Sequence, residues 1–154
     1  MNILTKIKSA AHNRTSYRIG LLQAKAYRIL KQRTTLVLAP FGISTIEWAL
    51  LGLLADTKGL RMKQLADELG VEAPFVTTMV QQLQKKLLVH LELNELDKRV
   101  KTLALTNEGK RFVTETEPQV RSAMRPIIQG AGVTDLLGYV SILELIIAND
   151  SKID

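Results

Sequence analysis

The fold is decided by residues 65–87, which read LADELGVEAPFVTTMVQQLQKKL. Residues 65–69 have the apolar spacing of a short helix, and Gly70 then supplies the left-handed conformation that closes a helix. The segment 72–86 repeats apolar residues at helical spacing. Its inward-facing stripe consists of Val76, Met79, Val80, Leu83 and Leu87. The stretch therefore predicts two helices joined by a tight turn.

The opposite side of the second helix is short and polar, and we call it the polar face. It consists of Pro74, Thr77, Thr78, Gln81 and Lys85. Hydroxyl and amide groups of this reach suit base edges and phosphates in the major groove of DNA, which admits an α-helix. Taken alone, such a face is equally an ordinary solvent-facing surface. The DNA-contact interpretation therefore depends on the segment that follows.

Two strand-like runs come next, residues 88–93 and 99–105, both rich in β-branched and apolar residues. A hairpin directly after the second helix is a wing, and its cations are Lys98, Arg99 and Lys101. Cations on a narrow protrusion suit the minor groove and the flanking phosphates. An exposed lysine near a hairpin tip is often only a solubility device, so Arg99 is a stronger candidate than Lys98.

These segments together resemble the multiple-antibiotic-resistance regulator (MarR) family of bacterial transcription factors. The most specific part of the match is Asp97-Lys98-Arg99, followed by Leu105-Thr106-Asn107-Glu108-Gly109. The resemblance extends over nearly the whole chain and implies a dimeric winged helix-turn-helix protein, most often a repressor. It also implies that Arg99 enters the minor groove, that Asp97 holds the conformation of the wing, and that the polar face meets the major groove.

Two positions depart from the usual pattern of that family. Leu87 stands where a glycine commonly joins the recognition helix to the wing, and we expect it to lengthen the helix or alter the wing's angle. His90 stands where a basic residue is common, and a mostly neutral imidazole removes a phosphate contact. These positions are the sequence hints for an alternative function, a winged-helix protein–protein interaction module without specific DNA binding.

Length and composition favour one folded domain. The chain has 154 residues, of which 46% are hydrophobic and 23% are charged. It has no cysteine, which excludes disulfides, thiolate metal sites and thiol redox sensing, including the cysteine-based peroxide sensors of the resembled family. No apolar run reaches the roughly 18 to 20 residues that span a bilayer, and the start lacks the apolar centre of a signal peptide. We therefore expect a cytoplasmic protein.

Charge is distributed unevenly along the chain. The formal net charge is +6 and the pI is near 9.7, which favours a polyanionic partner. Eight lysines and arginines and no acidic residue precede Glu47, whereas the segment from Phe112 onward carries a net charge of −3. This asymmetry favours contact between the two ends, within a subunit or across a dimer. A solvated helix face is the plainer explanation of each run.

Helical periodicity continues on both sides of the central segment. Residues 13–38 are apolar on two faces, which is typical of a helix that packs on its own subunit and on a partner. A long helix should start at residue 107, with a kink or break near Glu117 because Pro118 lacks a backbone donor. The last helix should follow an N-cap at Thr134 and end at Asn149.

We therefore expect residues 1–154 to form a single, mainly α-helical domain with a small β-hairpin wing. Residues 13–38 and 107–150 would be dimerisation helices, and residues 44–106 would be the DNA-binding lobe, which opens with a capping box at 44–47. A two-fold homodimer would bury the apolar terminal helices. It would also space two recognition helices for a pseudo-palindromic double-stranded DNA operator.

Enzyme chemistry is not indicated. The two histidines, His12 and His90, are far apart in sequence, and no phosphate loop, nucleophile elbow or metal-ligand cluster is present, so we expect no cofactor or metal. The resemblance implies that a small anionic or phenolic ligand binds between the dimerisation helices and the DNA-binding lobe. Arg18, Tyr27 and Trp48 could supply its cation and aromatic walls. In the plainer alternative, Trp48 is a core residue and Arg18 pairs with an acidic residue of the last helix.

Overall fold

The computed structural model describes residues 15–93, 101–150 and 152. The sequence predictions for His12, Asp97, Lys98 and Arg99 lie outside the described residues. In chain order, the described elements are α1 (Thr15–Leu38), a 3-10 turn (Ala39–Phe41), α2 (Thr45–Ala55), α3 (Met62–Leu69), α4 (Ala73–Lys85), β1 (Val89–Leu93), β2 (Lys101–Leu105), α5 (Asn107–Met124) and α6 (Val133–Asp150). The predicted fold class, mainly α with a β-hairpin, is confirmed.

The capping box predicted before α2 is formed. The Ser44 hydroxyl accepts a hydrogen bond from the Glu47 amide at 3.2 Å, and the Glu47 carboxylate accepts one from the Ser44 amide at 2.7 Å. Both amides belong to the end of a helix, where the helix itself offers no acceptor. The helix that they start buries Leu50, Leu51 and Leu54 in the core.

The helix-turn-helix forms where the sequence placed it. Helix α3 ends at Gly70, whose φ of +63° lies in the left-handed region that glycine adopts without steric cost. The Val71 amide then donates to the Ala66 carbonyl at 3.0 Å, which closes the turn. The inward side of α4 is buried, and it consists of Val76, Met79, Val80 and Leu83.

Leu87 corrects two expectations. Helix α4 is not lengthened, because it ends at Lys85, and Leu87 is not part of the buried stripe, because it is 71% exposed. Leu87 has a φ of +60°, so it adopts the conformation that the glycine common in the resembled family would supply. The chain therefore turns there, and Leu88 becomes the buried residue, with its amide bonded to the Leu83 carbonyl at 3.0 Å.

The wing is an antiparallel hairpin. A further segment of the chain pairs with its second strand, and the sequence did not predict this pairing. Val89 pairs with Leu105 and Leu93 pairs with Lys101. On the other side of β2, Leu60 forms an isolated bridge to Leu103 through backbone hydrogen bonds of 3.0 and 2.8 Å. The loop that enters the helix-turn-helix is thereby fixed to the base of the wing.

Helix α5 does not break near Glu117, so the expectation of a break there is wrong. The helix continues through Pro118 and ends at Met124. Because Pro118 and Thr114 are both exposed, water can satisfy the Thr114 carbonyl that loses its helical donor. The helix stops before Pro126, the second proline.

The predicted N-cap at Thr134 is also wrong. Helix α6 begins one residue earlier, at Val133. The Gly132 carbonyl accepts from the Asp135 and Leu136 amides, and the Gly132 amide donates to the Asp135 carboxylate at 2.8 Å. Gly132 and Asp135 therefore cap this helix, in place of the Thr134 hydroxyl that the sequence predicted.

Both terminal helices expose apolar side chains. On α1 they include Tyr17, Ile19, Leu22, Tyr27 and Leu36, and on α6 they include Leu137, Ile142, Leu145, Ile146 and Ile147. Among the helices of residues 15–93 and 101–150, none combines the length and the hydropathy that a membrane span requires. Only a pair of segments bent by 83°, Tyr17–Phe41 with Thr45–Ala55, meets that length and composition together.

Candidate nucleic-acid interface

Helix α4 is anchored on one side and open on the other. Its buried side chains fix its rotation about its own axis, because a residue's position along the sequence determines its side of the helix. Every member of the polar face lies on the exposed side: Pro74, Thr77, Thr78, Gln81 and Lys85. The helix therefore presents these groups together to the outside.

The two threonines of the polar face use their hydroxyl hydrogens internally. Thr77 Oγ1 donates to the Ala73 carbonyl at 3.1 Å, and Thr78 Oγ1 donates to the Pro74 carbonyl at 3.2 Å. Their oxygens can still accept a hydrogen bond, and their methyl groups are free for apolar contact with a thymine methyl. They must rotate before they can donate to a base or phosphate.

Gln81 is the most versatile group of the face. Within the part of the chain that the structure describes, its side-chain amide has no hydrogen-bond partner. A glutamine amide offers both a donor and an acceptor, which is the pattern that matches adenine in the major groove. Gln81 is thus available for direct readout without breaking an internal bond.

Phe75 adds an exposed aromatic ring that sequence reasoning missed. It lies in the first turn of α4, next to Pro74, and is 48% exposed. The sequence carried a signal for it, because Phe75 falls outside the apolar stripe that begins at Val76. A large apolar side chain outside the stripe of a helix is a candidate for contact with a partner.

The described part of the wing carries mixed charges. Lys101 is exposed at the start of β2. On β1, the His90 Nε2 atom lies 3.3 Å from a carboxylate oxygen of Glu92, with both side chains largely exposed. Where the resembled family commonly has a basic residue, this chain therefore presents an imidazole beside a carboxylate.

Thr106 and Gly109 fix α5 to the entrance of the wing. The Thr106 hydroxyl donates to the Leu87 carbonyl at 2.6 Å and accepts from the Gly109 amide at 2.9 Å. A Cβ atom on Gly109 would lie 2.0 Å from the Leu88 carbonyl oxygen. The Leu-Thr-x-x-Gly motif therefore has a structural role, because only glycine, which has no side chain, can lie this close to the Leu88 carbonyl.

An aromatic cluster joins the 3-10 turn, α2 and α5. The Phe112 ring meets Phe41 edge-on, with ring centroids 5.3 Å apart, and meets Trp48 edge-on at 6.2 Å. Such edge-to-face contacts are favoured by the charge distribution of aromatic rings. Trp48 therefore has the packing role that was the plainer alternative for it.

The three residues predicted to form a ligand site are not brought together within one chain. Arg18 and Tyr27 lie nine residues apart on α1, which places them on opposite sides of that helix. Tyr27 is exposed, and the Lys31 ammonium lies 5.7 Å from its ring centroid. Trp48 is engaged by Phe112.

Cavities occur elsewhere in the described chain. One of about 440 Å³ lies between α1 and the region around Tyr139, and it is lined mainly by apolar side chains. Another of about 770 Å³ lies at the base of the wing. Neither cavity is lined by Arg18, Tyr27 or Trp48.

Comparison with known proteins finds similarity to transcription regulators over part of the chain. A sequence model of the MarR family matches residues 41–100. A relative from Bacillus subtilis (strain 168), the uncharacterized HTH-type transcriptional regulator YwoH, is 31% identical over 88 residues. That alignment spans 57% of this chain and 64% of the relative.

Solved structures agree with the fold. CouR from Rhodococcus jostii RHA1 bound to p-coumaroyl-CoA matches with a TM-score of 0.79 at 23% identity, covering 84% of this chain and 91% of CouR. The transcriptional repressor CouR bound to a 23-mer DNA duplex matches with a TM-score of 0.74 at 20% identity, covering 87% and 95% of the two chains. These relatives are transcriptional regulators rather than enzymes. The family model matches residues 41–100, which contain α2, α3, α4 and β1, so this part of the chain is similar to regulators of the MarR family.

Proposed function

We propose that this chain is a sequence-specific double-stranded DNA-binding transcription regulator that acts as a homodimer, most simply as a repressor in the cytoplasm. The observation that carries the proposal is the polar face of α4, which is exposed and held at a fixed rotation by the buried side of the same helix. Its groups have the reach and the hydrogen-bonding types that major-groove readout requires. The DNA-bound CouR structure, which shares this fold, supports the assignment.

Some groups of the interface would position the protein on the DNA, and others would determine which base sequence it prefers. Gln81, Thr77 and Thr78 would carry direct readout of base edges, with Pro74 and Phe75 in apolar contact beside them. Lys85 and Lys101 would contact phosphates, and Lys98 and Arg99 would extend this charge along the wing, with Arg99 in the minor groove. Cation contacts to phosphate supply most of the affinity of such interfaces and make it dependent on salt.

The terminal helices support the homodimer. The exposed apolar side chains of α1 and α6 form more apolar surface than a monomer normally leaves in water. Helix α1 carries basic residues and no acidic ones, whereas α6 carries Asp135, Glu144 and Asp150. A two-fold pair in which these helices interlock would cover the apolar surface and set opposite charges near each other. Residues 13–38 and 107–150 would then be the dimerisation helices, and residues 44–106 the DNA-binding lobe.

Relief of repression by a small molecule is the regulatory part of the proposal. CouR binds p-coumaroyl-CoA, an anionic ligand with a phenolic group, in a protein of the same fold. Arg18, Tyr27 and Trp48 remain the predicted site in this chain, and a second copy would have to bring them together. Titration with aromatic acids, followed by Trp48 fluorescence, tests this site, and constant fluorescence up to millimolar ligand would contradict it.

Selection from a pool of random double-stranded DNA tests the main proposal directly. The purified full chain is expected to enrich duplexes with two related half-sites in inverted orientation, spaced by about one helical turn. Enrichment of no sequence over the starting pool would contradict the proposal. In that case, the protein–protein interaction module suggested by Leu87 and His90 becomes the better account.

A further inference from the structure

The cavity at the base of the wing lies apart from the polar face. Its volume is about 770 Å³, and no residue of α4 lines it. Small-molecule sites commonly measure about 300–1,000 Å³. The walls come from the end of α2, both strands of the hairpin and the first turns of α5.

The lining divides into an aliphatic floor and a cationic rim. The floor consists of aliphatic lining residues that are buried or half-buried, namely Leu54, Ala104, Leu105 and Val113. The rim carries two lysines, Lys58 and Lys110, both exposed. Neither ammonium group is paired with a carboxylate among residues 15–93, 101–150 and 152.

The acidic group in the lining does not cancel this charge. Among the described residues of the lining, Glu92 is one carboxylate against two lysines, and its side chain lies 3.3 Å from the Nε2 atom of His90. Among the residues that the structure describes, no phenylalanine, tyrosine or tryptophan lines the cavity. Its apolar part is therefore suited to an aliphatic group rather than to a stacked aromatic ring.

We infer that this cavity binds a small aliphatic carboxylate, with the hydrocarbon chain on the floor and the carboxylate between Lys58 and Lys110. Hydrogen bonds between ammonium and carboxylate groups are about twice as strong as those between neutral groups. Each methylene group removed from water strengthens binding further through the hydrophobic effect. A neutral amide can accept a hydrogen bond from an ammonium group but lacks the attraction between two full charges, and a cation would be repelled by both lysines.

Binding in this cavity would act on the wing through its walls. The ligand would contact His90 on β1, Ala104 on β2 and Lys110 on α5 at once. It would therefore resist movement of the hairpin relative to α5. The binding itself does not depend on the proposed DNA function, so it can be tested without DNA.

Calorimetric titration with octanoate, and with neutral octanamide as the matched ligand, tests the inference on the full chain. We expect octanoate to bind at least about tenfold more tightly than octanamide. Lys58→Gln and Lys110→Gln should each weaken octanoate binding at least about fivefold. Lys63→Gln, which removes an exposed lysine of α3 outside the cavity, should leave it unchanged.

Two filling variants locate the site. Ala55→Trp places a large side chain in the lining of this cavity and should abolish octanoate binding, whereas Ala26→Trp, in the cavity beside α1, should not. Thermal unfolding checks that both variants fold. Equal binding of acid and amide, unchanged binding in both lysine variants, or no binding of octanoate up to about 10 mM would each overturn the inference.

Discussion

The backbone of Gly109 lies so close to the carbonyl of Leu88 that an added Cβ atom would be 2.0 Å from the carbonyl oxygen. Gly109→Ala must therefore displace α5 or the entrance of the wing, and we expect it to destabilise the fold by at least about 2 kcal/mol. Chemical denaturation measures this loss. Gly52→Ala is the matched control, because a Cβ there meets no atom within 4 Å, so it should be neutral or stabilising. Equal effects of the two substitutions would contradict the close approach.

Leu87 stores strain that a glycine would release. A non-glycine residue with left-handed φ costs on the order of 1–3 kcal/mol, while glycine loses about 0.5–1 kcal/mol more chain entropy on folding. Leu87→Gly should therefore stabilise the protein by about 1 kcal/mol, even though it removes an apolar side chain, because that side chain is mostly exposed. Leu87→Ala keeps the strain and serves as the control in the same denaturation experiment. If the two variants were equally stable, strain at Leu87 would be ruled out.

These two positions show where sequence reasoning succeeds and where it stops. The turn at Gly70 and the buried side of α4 follow from local patterns, namely glycine after a periodic run and apolar residues at helical spacing. The left-handed φ of Leu87 could not be predicted in this way. Tertiary contacts with Thr106 and the wing fix this backbone conformation, although a leucine disfavours it.

Other differences between the predictions and the structure also arise from solvent exposure and long-range contacts, which a local sequence pattern does not report. Pro118 continues a helix because its neighbourhood is open to solvent, which periodicity alone does not report. The bridge between Leu60 and Leu103 joins residues far apart in sequence, and no local pattern signals it. For the candidate site, residue types and exposure on α4 followed from the sequence. The internal hydrogen bonds of Thr77 and Thr78, which limit what they can donate, required the structure.

Homodimer formation through the terminal helices can be tested with one buried charge. Ile146 is 60% exposed on α6 in the single chain, and a glutamate there would have to lose its hydration in an apolar interface. We expect Ile146→Glu to shift the protein from dimer to monomer in sedimentation velocity at micromolar concentration. Ser141→Glu adds the same charge to an exposed position of the same helix and should remain dimeric. A dimer that tolerates Ile146→Glu would place the interface elsewhere.

Direct readout by the polar face predicts a sequence-dependent loss. Gln81→Ala should weaken binding to a selected duplex by about tenfold, since one bidentate base contact is worth about 1–3 kcal/mol, and should relax the preference at one base pair of each half-site. Binding to random duplex should hardly change. The control is Gln119→Ala, an exposed glutamine on α5 away from the polar face. Parallel losses on selected and random DNA would assign Gln81 to phosphate contact rather than to base readout.

Binding of the purified protein to the duplex upstream of its own gene, measured across a salt series, tests the proposed function most directly. Wild type, Arg99→Ala and the charge-matched Arg125→Ala are compared. We expect tight binding by wild type, with log K falling by about 0.9 per unit of log salt for each phosphate neutralised. Arg99→Ala should lose affinity and show a shallower slope, whereas Arg125→Ala should behave like wild type. Binding no tighter than to random DNA at low salt, with Arg99→Ala indistinguishable from wild type, would contradict a DNA-binding regulator.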